Sequence, residues 1–140
     1  MEVKNLFDPA VKAEIIARIN QLRPDSPAKW GKMNVSQMLA HCQKPLGVAV
    51  GDHSLKANFI IRLIGPLFKK KLFNEKPFKK GLPTDKSFII SDVRDFENEK
   101  KKMIGMINAF SADAMSGEPH PFFGKLTKDE WSRGTWKHLD

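Results

Sequence analysis

The chain has 140 residues, of which 41% are hydrophobic and 29% charged, the balance of one soluble globular domain with its own core. Its net charge of +8 permits contact with nucleic acid, an anionic membrane or an acidic ligand, but says nothing about the fold. The single cysteine, Cys42, excludes an internal disulfide and favours a reducing compartment. Because the N-terminus lacks a signal-peptide pattern, we expect a cytoplasmic protein.

The first two predicted helices lie before residue 52. Asp8 followed by Pro9 is a typical helix start, with an Asp cap before a proline in the first turn. The second helix is predicted over residues 34–51, and its apolar residues recur at helical spacing: Val35, Met38, Leu39, Cys42, Leu46 and Ala49. His41 lies at the edge of this apolar stripe.

Two readings of His41 remain open. Pro45 follows four residues later, so the His41 carbonyl loses its helical hydrogen bond, and distortion beside an inward-leaning histidine is a weak indication of a site. A packed, hydrogen-bonded core histidine is the commoner case. A second histidine directed at the same volume would favour the site. Cys42, on the apolar stripe, is expected to be a core residue rather than a metal ligand.

Residues 56–73 are apolar nearly all round, but Arg62 and Pro66 interrupt the run, which is too short for the about 20 residues of a membrane span. No transmembrane segment is therefore expected. The segment is predicted to be a buried or partly interfacial helix, or the interface of an expected homodimer. A cluster of three lysines at its end is either a solvated surface or a patch for phosphate or lipid headgroups: Lys69, Lys70 and Lys71. Since no recognition motif accompanies the cluster, no specific nucleic acid is expected.

The second half of the chain begins with a predicted loop over residues 74–91, which is rich in proline and glycine. The longest helix is predicted over residues 92–112, where apolar residues including Val93 keep the seven-residue spacing typical of a bundle. Asp92 and Asp95 are expected in its first turn.

His120 lies between two prolines in a turn-rich connection, so it is predicted to be a loop or lid residue beside a substrate pocket rather than a ligand. The last helix is predicted to begin at Thr127, which forms a capping box with Glu130. His138, seven residues after Trp131, falls on the same predicted buried stripe and is the second histidine. The sequence has no helix-stop signal here, so the last helix is expected to be cut short.

Two stretches together resemble the DinB-like superfamily of metal-dependent proteins, in a branch catalogued as a domain of unknown function. Residues 29–41, KWGKMNVSQMLAH, resemble its second-helix signature, and residues 119–140, with PHPFFGKLT, EW and KHLD, resemble its last-helix region. The resemblance implies one all-α domain over residues 1–140, a four-helix up-down bundle with one extra short helix and a long loop.

The same resemblance implies a divalent metal, zinc, nickel or iron, held by three histidines, one from the second helix and two from the last. His41 and His138 match two of the three positions, and the remaining position would fall past Asp140. The resemblance thus leaves two alternatives. Either the chain is cut short, or the triad is incomplete and the metal is weakly held or absent.

Three imidazoles inside a bundle would leave an open position for water or substrate, as in a catalytic zinc site. Some members look like thiol-dependent transferases, which implies a small-molecule thiol and an electrophile as partners, and a metal can stabilise the thiolate. The implied function is a metal-dependent transferase or hydrolase with substrate entering beside His120. The alternative is a non-catalytic basic helical bundle that binds a protein partner or an anionic surface through the lysine cluster.

Overall fold

The computed structural model describes residues 2–140, which fold into an all-helical protein. Its α-helices are α1 (Pro9–Asn20), α2 (Val35–Val50), α3 (Phe59–Leu72), α4 (Phe96–Ala109) and α5 (Lys128–Leu139). Two 3₁₀ turns, Lys86–Phe88 and Ala112–Ala114, lie in the connections. The described residues contain no β-strand, only an isolated bridge between His120 and Gly124. The predicted all-α class with an extra helix is confirmed.

Side-chain caps set where the helices begin. Asp8 caps α1 through its carboxylate, with proline in the first turn as predicted. Asn34 and Gln37 form a reciprocal capping box at the start of α2. Thr127 and Glu130 form the predicted capping box at the start of α5. Each cap satisfies a backbone N–H group that has no partner inside its helix.

The start of α4 differs from the prediction. The helix begins at Phe96, with Asp95 as its N-cap, so neither Asp92 nor Asp95 lies in the first turn. The Asp92 carbonyl instead accepts a hydrogen bond from Gln37 Nε2 at 3.0 Å, which ties the segment before α4 to α2. Val93, predicted on the buried face, is 96% exposed. Either aspartate has the side chain of a good cap, and the bond from Gln37 holds the Asp92 carbonyl outside the helix.

The core lies between α1, α2, α4 and α5. The central helix α2 packs on α4 and α5, and α1 packs on α4. The most deeply buried large side chains at this centre are Leu6, Leu39, Leu46, Met103, Ile107 and Phe110. Six large apolar residues of α3 are exposed: Phe59, Ile60, Leu63, Ile64, Leu67 and Phe68. The prediction of a buried helix over residues 56–73 is therefore wrong for this outer face.

The inner side of α3 packs closely against the rest of the protein at a glycine, Gly65. A Cβ atom at Gly65 would overlap the backbone carbonyl of Phe122, and one at Gly134 of α5 would overlap the ring of Phe73. The connection between α4 and α5 can approach α3 this closely only because no side chain intervenes. Glycine in a helix costs about 1 kcal/mol relative to alanine, so these positions sacrifice helix propensity for close packing.

We expect Gly65→Ala to lower the free energy of unfolding by about 1–3 kcal/mol, because the added methyl group meets backbone that cannot move without distorting the connection. Gly105→Ala in α4 is the matched control, since a Cβ there meets nothing within 4 Å. It should raise the free energy of unfolding by up to about 1 kcal/mol. Urea unfolding followed by circular dichroism measures both. Equal stability of the two variants would contradict the close contact.

Candidate functional site

His41 is held in one tautomer by a backbone carbonyl. Its Nδ1 lies 2.6 Å from the carbonyl oxygen of Phe88, in the 3₁₀ turn Lys86–Phe88. Because a carbonyl can only accept, Nδ1 carries the proton and donates it, which leaves the lone pair of the neutral ring at Nε2. A metal-binding histidine commonly makes this same bond through its second nitrogen. Helix α2 runs through Pro45 without a break, and His41 faces this turn.

A chain of side chains holds the 3₁₀ turn in place. Asp85 accepts hydrogen bonds from the Ser87 N–H at 2.8 Å and from the Ser87 hydroxyl at 2.5 Å, and these bonds lower the pKa of Asp85. His53 Nε2 lies 2.9 Å from the same hydroxyl oxygen. Because Ser87 donates its proton to Asp85, it accepts from His53. This order of donors is the reverse of that around a nucleophilic serine, so the group positions the Phe88 carbonyl rather than forming a catalytic triad.

This support was not predicted from the sequence. Residues 74–91 are predicted as a loop, and neither His53 nor the carbonyl of Phe88 has a predicted role. Asp85 followed two residues later by Ser87 is a recognisable turn signal and would have indicated the 3₁₀ turn. The contact with His53 had no local signal, because it joins two segments 34 residues apart.

His138 projects from α5 against His41. The centroids of the two rings are 4.9 Å apart and the ring planes are inclined by 36°. The Nδ1 atom of His138 is fully enclosed and has no hydrogen-bond partner. Burial, and secondarily the neighbouring His41, lowers the pKa of His138 to about 4. The structure thus brings together the two histidines that the sequence predicted as metal ligands, while their metal binding stays a prediction.

His120 lies in the connection before α5, where its ring stacks between other aromatic rings. Its centroid is 5.3 Å from that of Trp131 and 4.6 Å from that of Phe123. His120 Nδ1 accepts hydrogen bonds from the N–H groups of Phe122 at 3.0 Å and of Phe123 at 3.3 Å, so the proton of the neutral ring is on Nε2. Burial lowers the pKa of His120 to about 4, which favours that neutral ring.

A cavity of about 130 Å³ lies between this connection, α2 and α5. We call it the aromatic cavity, since its walls include Phe73, Phe78, Phe88 and Trp131. His120 and His138 both line it. The cavity thus combines apolar walls with a few polar groups, the composition of a small-molecule site. It is large enough for a few water molecules or a small organic group.

Few metal-ligating side chains lie around His41 and His138. Among residues 2–140, no group of three or more His, Cys, Asp or Glu side chains is placed to hold a metal ion. The His41–His138 pair therefore offers two imidazoles, one fewer than the three protein ligands of a typical catalytic zinc site.

Residues 6–140 match the family model DUF1569, which is described as a protein of unknown function. The chain belongs to this family. No curated protein and no solved structure matches the chain. The predicted branch of unknown function is confirmed, whereas the DinB-like superfamily stays a prediction.

Lysines 69, 70 and 71 of this DUF1569 chain differ in their surroundings. Lys69 Nζ lies 3.0 Å from Glu130 Oε1 and donates to the backbone carbonyl of Lys125 at 3.0 Å. It therefore fastens the end of α3 to the start of α5. Lys70 is exposed, and Lys71 lies over the ring of Phe68 at 5.7 Å from its centroid. Anion binding through the whole cluster stays a prediction, and Lys69 has a structural role in addition.

Cys42 of the DUF1569 fold is half-buried and packs against the core. Its thiol contacts Met38 Sδ at 3.6 Å, and burial raises the pKa of the thiol to about 12. A thiol with that pKa is protonated at neutral pH, so Cys42 is neither an activated nucleophile nor a ready metal ligand.

We expect His120→Asn to reduce the pH dependence of stability. The folded pKa of about 4 lies below the ordinary 6.5, so the unfolded chain binds a proton in this window that the folded chain does not. The stabilisation by neutral His120 is complete above pH 6.5 and is lost as the pH falls through 4. Asparagine can still accept a backbone hydrogen bond but does not titrate.

The measurement is urea unfolding of both proteins at a series of pH values, in the presence of a chelator. Between about pH 4.5 and 6, the free energy of unfolding should rise with pH less steeply in the variant, by up to about 1.4 kcal/mol per pH unit. Parallel curves for the two proteins would show that His120 is not protected from protonation.

Proposed function

We propose that this protein is a DinB-like member that binds a divalent metal ion through His41 and His138, and that it carries out thiol-dependent transfer or hydrolysis. The observation that carries the proposal is the contact of the two imidazole rings at 4.9 Å, from two helices far apart along the chain. The order of the helices supports the DinB-like assignment, since α1, α2, α4 and α5 form the bundle and α3 is extra.

The chemistry of the two rings fits a metal ion. The hydrogen bond to Phe88 directs the His41 proton to Nδ1, so Nε2 is free to coordinate, with a backbone carbonyl as its outer support. His138 has an enclosed nitrogen without a partner, and an unsatisfied buried polar atom in a native protein calls for an explanation such as an ion or a water molecule. Both observations support a divalent metal at this pair of imidazoles.

With two imidazoles from the protein, water or substrate would complete the coordination, which suits a modest affinity and an exchangeable site. A divalent metal supplies Lewis acidity there, which lowers the pKa of a bound water or stabilises a thiolate. Cys42 is not that thiol, because burial keeps it protonated. The thiol would therefore come from a small molecule, and its electrophilic partner would be apolar enough to enter the aromatic cavity.

His120 has a defined part in this proposal. Its two backbone hydrogen bonds hold Nδ1 as an acceptor, so Nε2–H is the donor that the ring can offer to a substrate at the cavity wall. Stacking on Trp131 and Phe123 fixes the orientation of the ring. The residue would therefore orient a substrate rather than coordinate the metal.

We expect the protein to bind about one zinc ion per chain, and His41→Ala or His138→Ala to weaken binding on the order of 100-fold or more, since even outer-shell changes cost 10–100-fold. Glu97→Gln is the control, because it removes an exposed carboxylate of α4 that takes no part in the site. Isothermal titration of metal-free protein with zinc, nickel and iron measures the affinities, and elemental analysis measures the stoichiometry.

Thermodynamic linkage supplies a second readout. Zinc at 100 times its dissociation constant should raise the free energy of unfolding of the wild type by about 2.7 kcal/mol, and that of the His138→Ala variant much less. Unchanged zinc affinity in His41→Ala would refute the site. Loss of helix content in both alanine variants would show that the histidines are structural.

Catalysis is tested separately with the zinc-loaded protein, a panel of low-molecular-weight thiols and a small aromatic electrophile. We expect thiol consumption by the wild type and by Glu97→Gln, and at least a tenfold lower rate for His138→Ala, because a metal held by His138 would stabilise the thiolate. Zinc binding without any thiol consumption or hydrolysis would support a metal-binding protein and refute the proposed enzymatic activity.

A further inference from the structure

The positive charge of the chain is concentrated in one segment. Residues 53–84 contain eight Lys or Arg residues and a single acidic residue, Glu75, while the rest of the chain has 16 basic and 15 acidic residues. Nearly all of the net charge of +8 therefore belongs to α3 and to the residues on either side of it. Such segregation produces a local positive field that acts on anionic partners.

The same segment holds most of the large apolar side chains that are exposed among the described residues, six of them on α3. The exposed residues of α3 form two adjacent rows along the helix, Phe59–Leu63–Leu67 and Ile60–Ile64–Phe68, with 78% of Phe59 and 76% of Leu67 exposed. The opposite side of α3 holds Gly65, which is buried against the connection before α5. The helix thus points its apolar face outward, the reverse of an ordinary surface helix.

The helix is held in this orientation at its C-terminal end. Lys69 pairs with Glu130, and Lys137 of α5 donates to the carbonyl oxygens of Leu72 at 2.5 Å and of Asn74 at 2.9 Å. Hydrogen bonds from α5 therefore fasten the last turn of α3, so the apolar face is presented by a fixed element. None of the helices in residues 2–140 is long and apolar enough to cross a membrane.

We propose that α3 lies in the surface of an anionic lipid membrane, with its two apolar rows among the acyl chains and the lysines around its end against the headgroups. An interfacial helix is recognised by an apolar face that enters the acyl boundary and by cations that meet anionic lipids. The 14 residues of α3 correspond to about 21 Å of helix in the membrane plane. Lys71 already lies along Phe68, where a lysine can extend from an apolar surface to headgroups.

The positive charge around α3 favours a membrane over a second copy of the chain as the partner that covers its apolar face. Two copies packed through their α3 faces would bring together two segments with eight basic residues and one acidic residue each, and juxtaposed like charges oppose association. Nucleic acid would neutralise the lysines, but phosphate contacts give no role to six exposed apolar side chains. An anionic membrane accounts both for the exposed apolar side chains of α3 and for the lysines around its end. This proposal does not depend on the metal site.

The test uses the full chain and sedimentation with phosphatidylcholine vesicles, with and without phosphatidylserine. We expect salt-sensitive binding to the anionic vesicles. Lys70→Gln/Lys71→Gln should weaken it about 30-fold, since each basic residue near an anionic surface contributes roughly a fivefold factor. The matched control is Lys101→Gln/Lys128→Gln, which removes two exposed charges outside residues 53–84 and should bind like the wild type.

A second pair of variants tests insertion. Leu63→Ser/Leu67→Ser should lower the affinity at least tenfold, because these exposed side chains would enter the acyl region. The control is Val93→Ser, which is as exposed but lies outside α3. Circular dichroism of each variant shows that the fold is kept. In Phe59→Trp, the added indole should shift its emission to the blue when anionic vesicles are added, because it leaves water.

Several results would overturn the proposal. These are no binding to anionic vesicles, equal binding to neutral ones, or unchanged affinity of Leu63→Ser/Leu67→Ser. A dimer that Leu63→Ser/Leu67→Ser dissociates, together with no vesicle binding, would show that a second copy covers the face instead.

Discussion

The hydrogen bond from His41 to the carbonyl of Phe88 organises the candidate site. It joins α2 to a 3₁₀ turn 47 residues later, in a region that has little other regular structure. One bond thereby does two things: it holds the long connection against the bundle, and it leaves the His41 lone pair at Nε2. Asp85, Ser87 and His53 continue the support outward toward solvent. The site therefore has an ordered outer layer, which a histidine needs if it is to coordinate reproducibly.

The ring of His138, unlike that of His41, is not held by a hydrogen bond at Nδ1. His138 has no such support, and its Nδ1 atom is enclosed without a hydrogen bond. A buried polar atom left without any partner costs roughly 1–3 kcal/mol, so this nitrogen needs a partner such as a water molecule or an ion. The contrast between one supported and one unsatisfied imidazole at 4.9 Å is more specific than two buried histidines alone. A core that needed only volume would require neither the bond to Phe88 nor an imidazole on α5.

The sequence predicted the parts of the fold that depend on local chemistry. The caps at Asp8 and Thr127 are confirmed, since capping uses side chains three residues or fewer apart. The predicted start of α4 was wrong: Asp92 lies outside the helix, where its carbonyl bonds to a residue distant in sequence, Gln37. The pairing of His41 with His138 was predicted from helical stripes and a resemblance, and the structure brings the rings together. No sequence signal identifies the Phe88 carbonyl, because every residue has a backbone carbonyl.

The outward face of α3 shows where reading burial from hydrophobicity fails. The apolar content of residues 56–73 predicts a buried or partly interfacial helix, yet periodicity alone does not say which side of a helix faces the protein. The deciding residue is Gly65, the position without a side chain, since close approach to the Phe122 carbonyl is possible only there. With Gly65 on the inner side of α3, six large apolar side chains of the helix face solvent. A glycine in the middle of an apolar helix is therefore the better guide to its packed face.

The two proposed surfaces meet at the connection between α4 and α5. Phe122 contacts Gly65 of α3 through its backbone and donates its N–H to His120, which lines the aromatic cavity. No side chain separates α3 from that backbone at Gly65. The last turn of α3 is also bonded to Lys137, next to His138 on α5. The outer face of α3 and the aromatic cavity therefore share two supports, the connection before α5 and α5 itself.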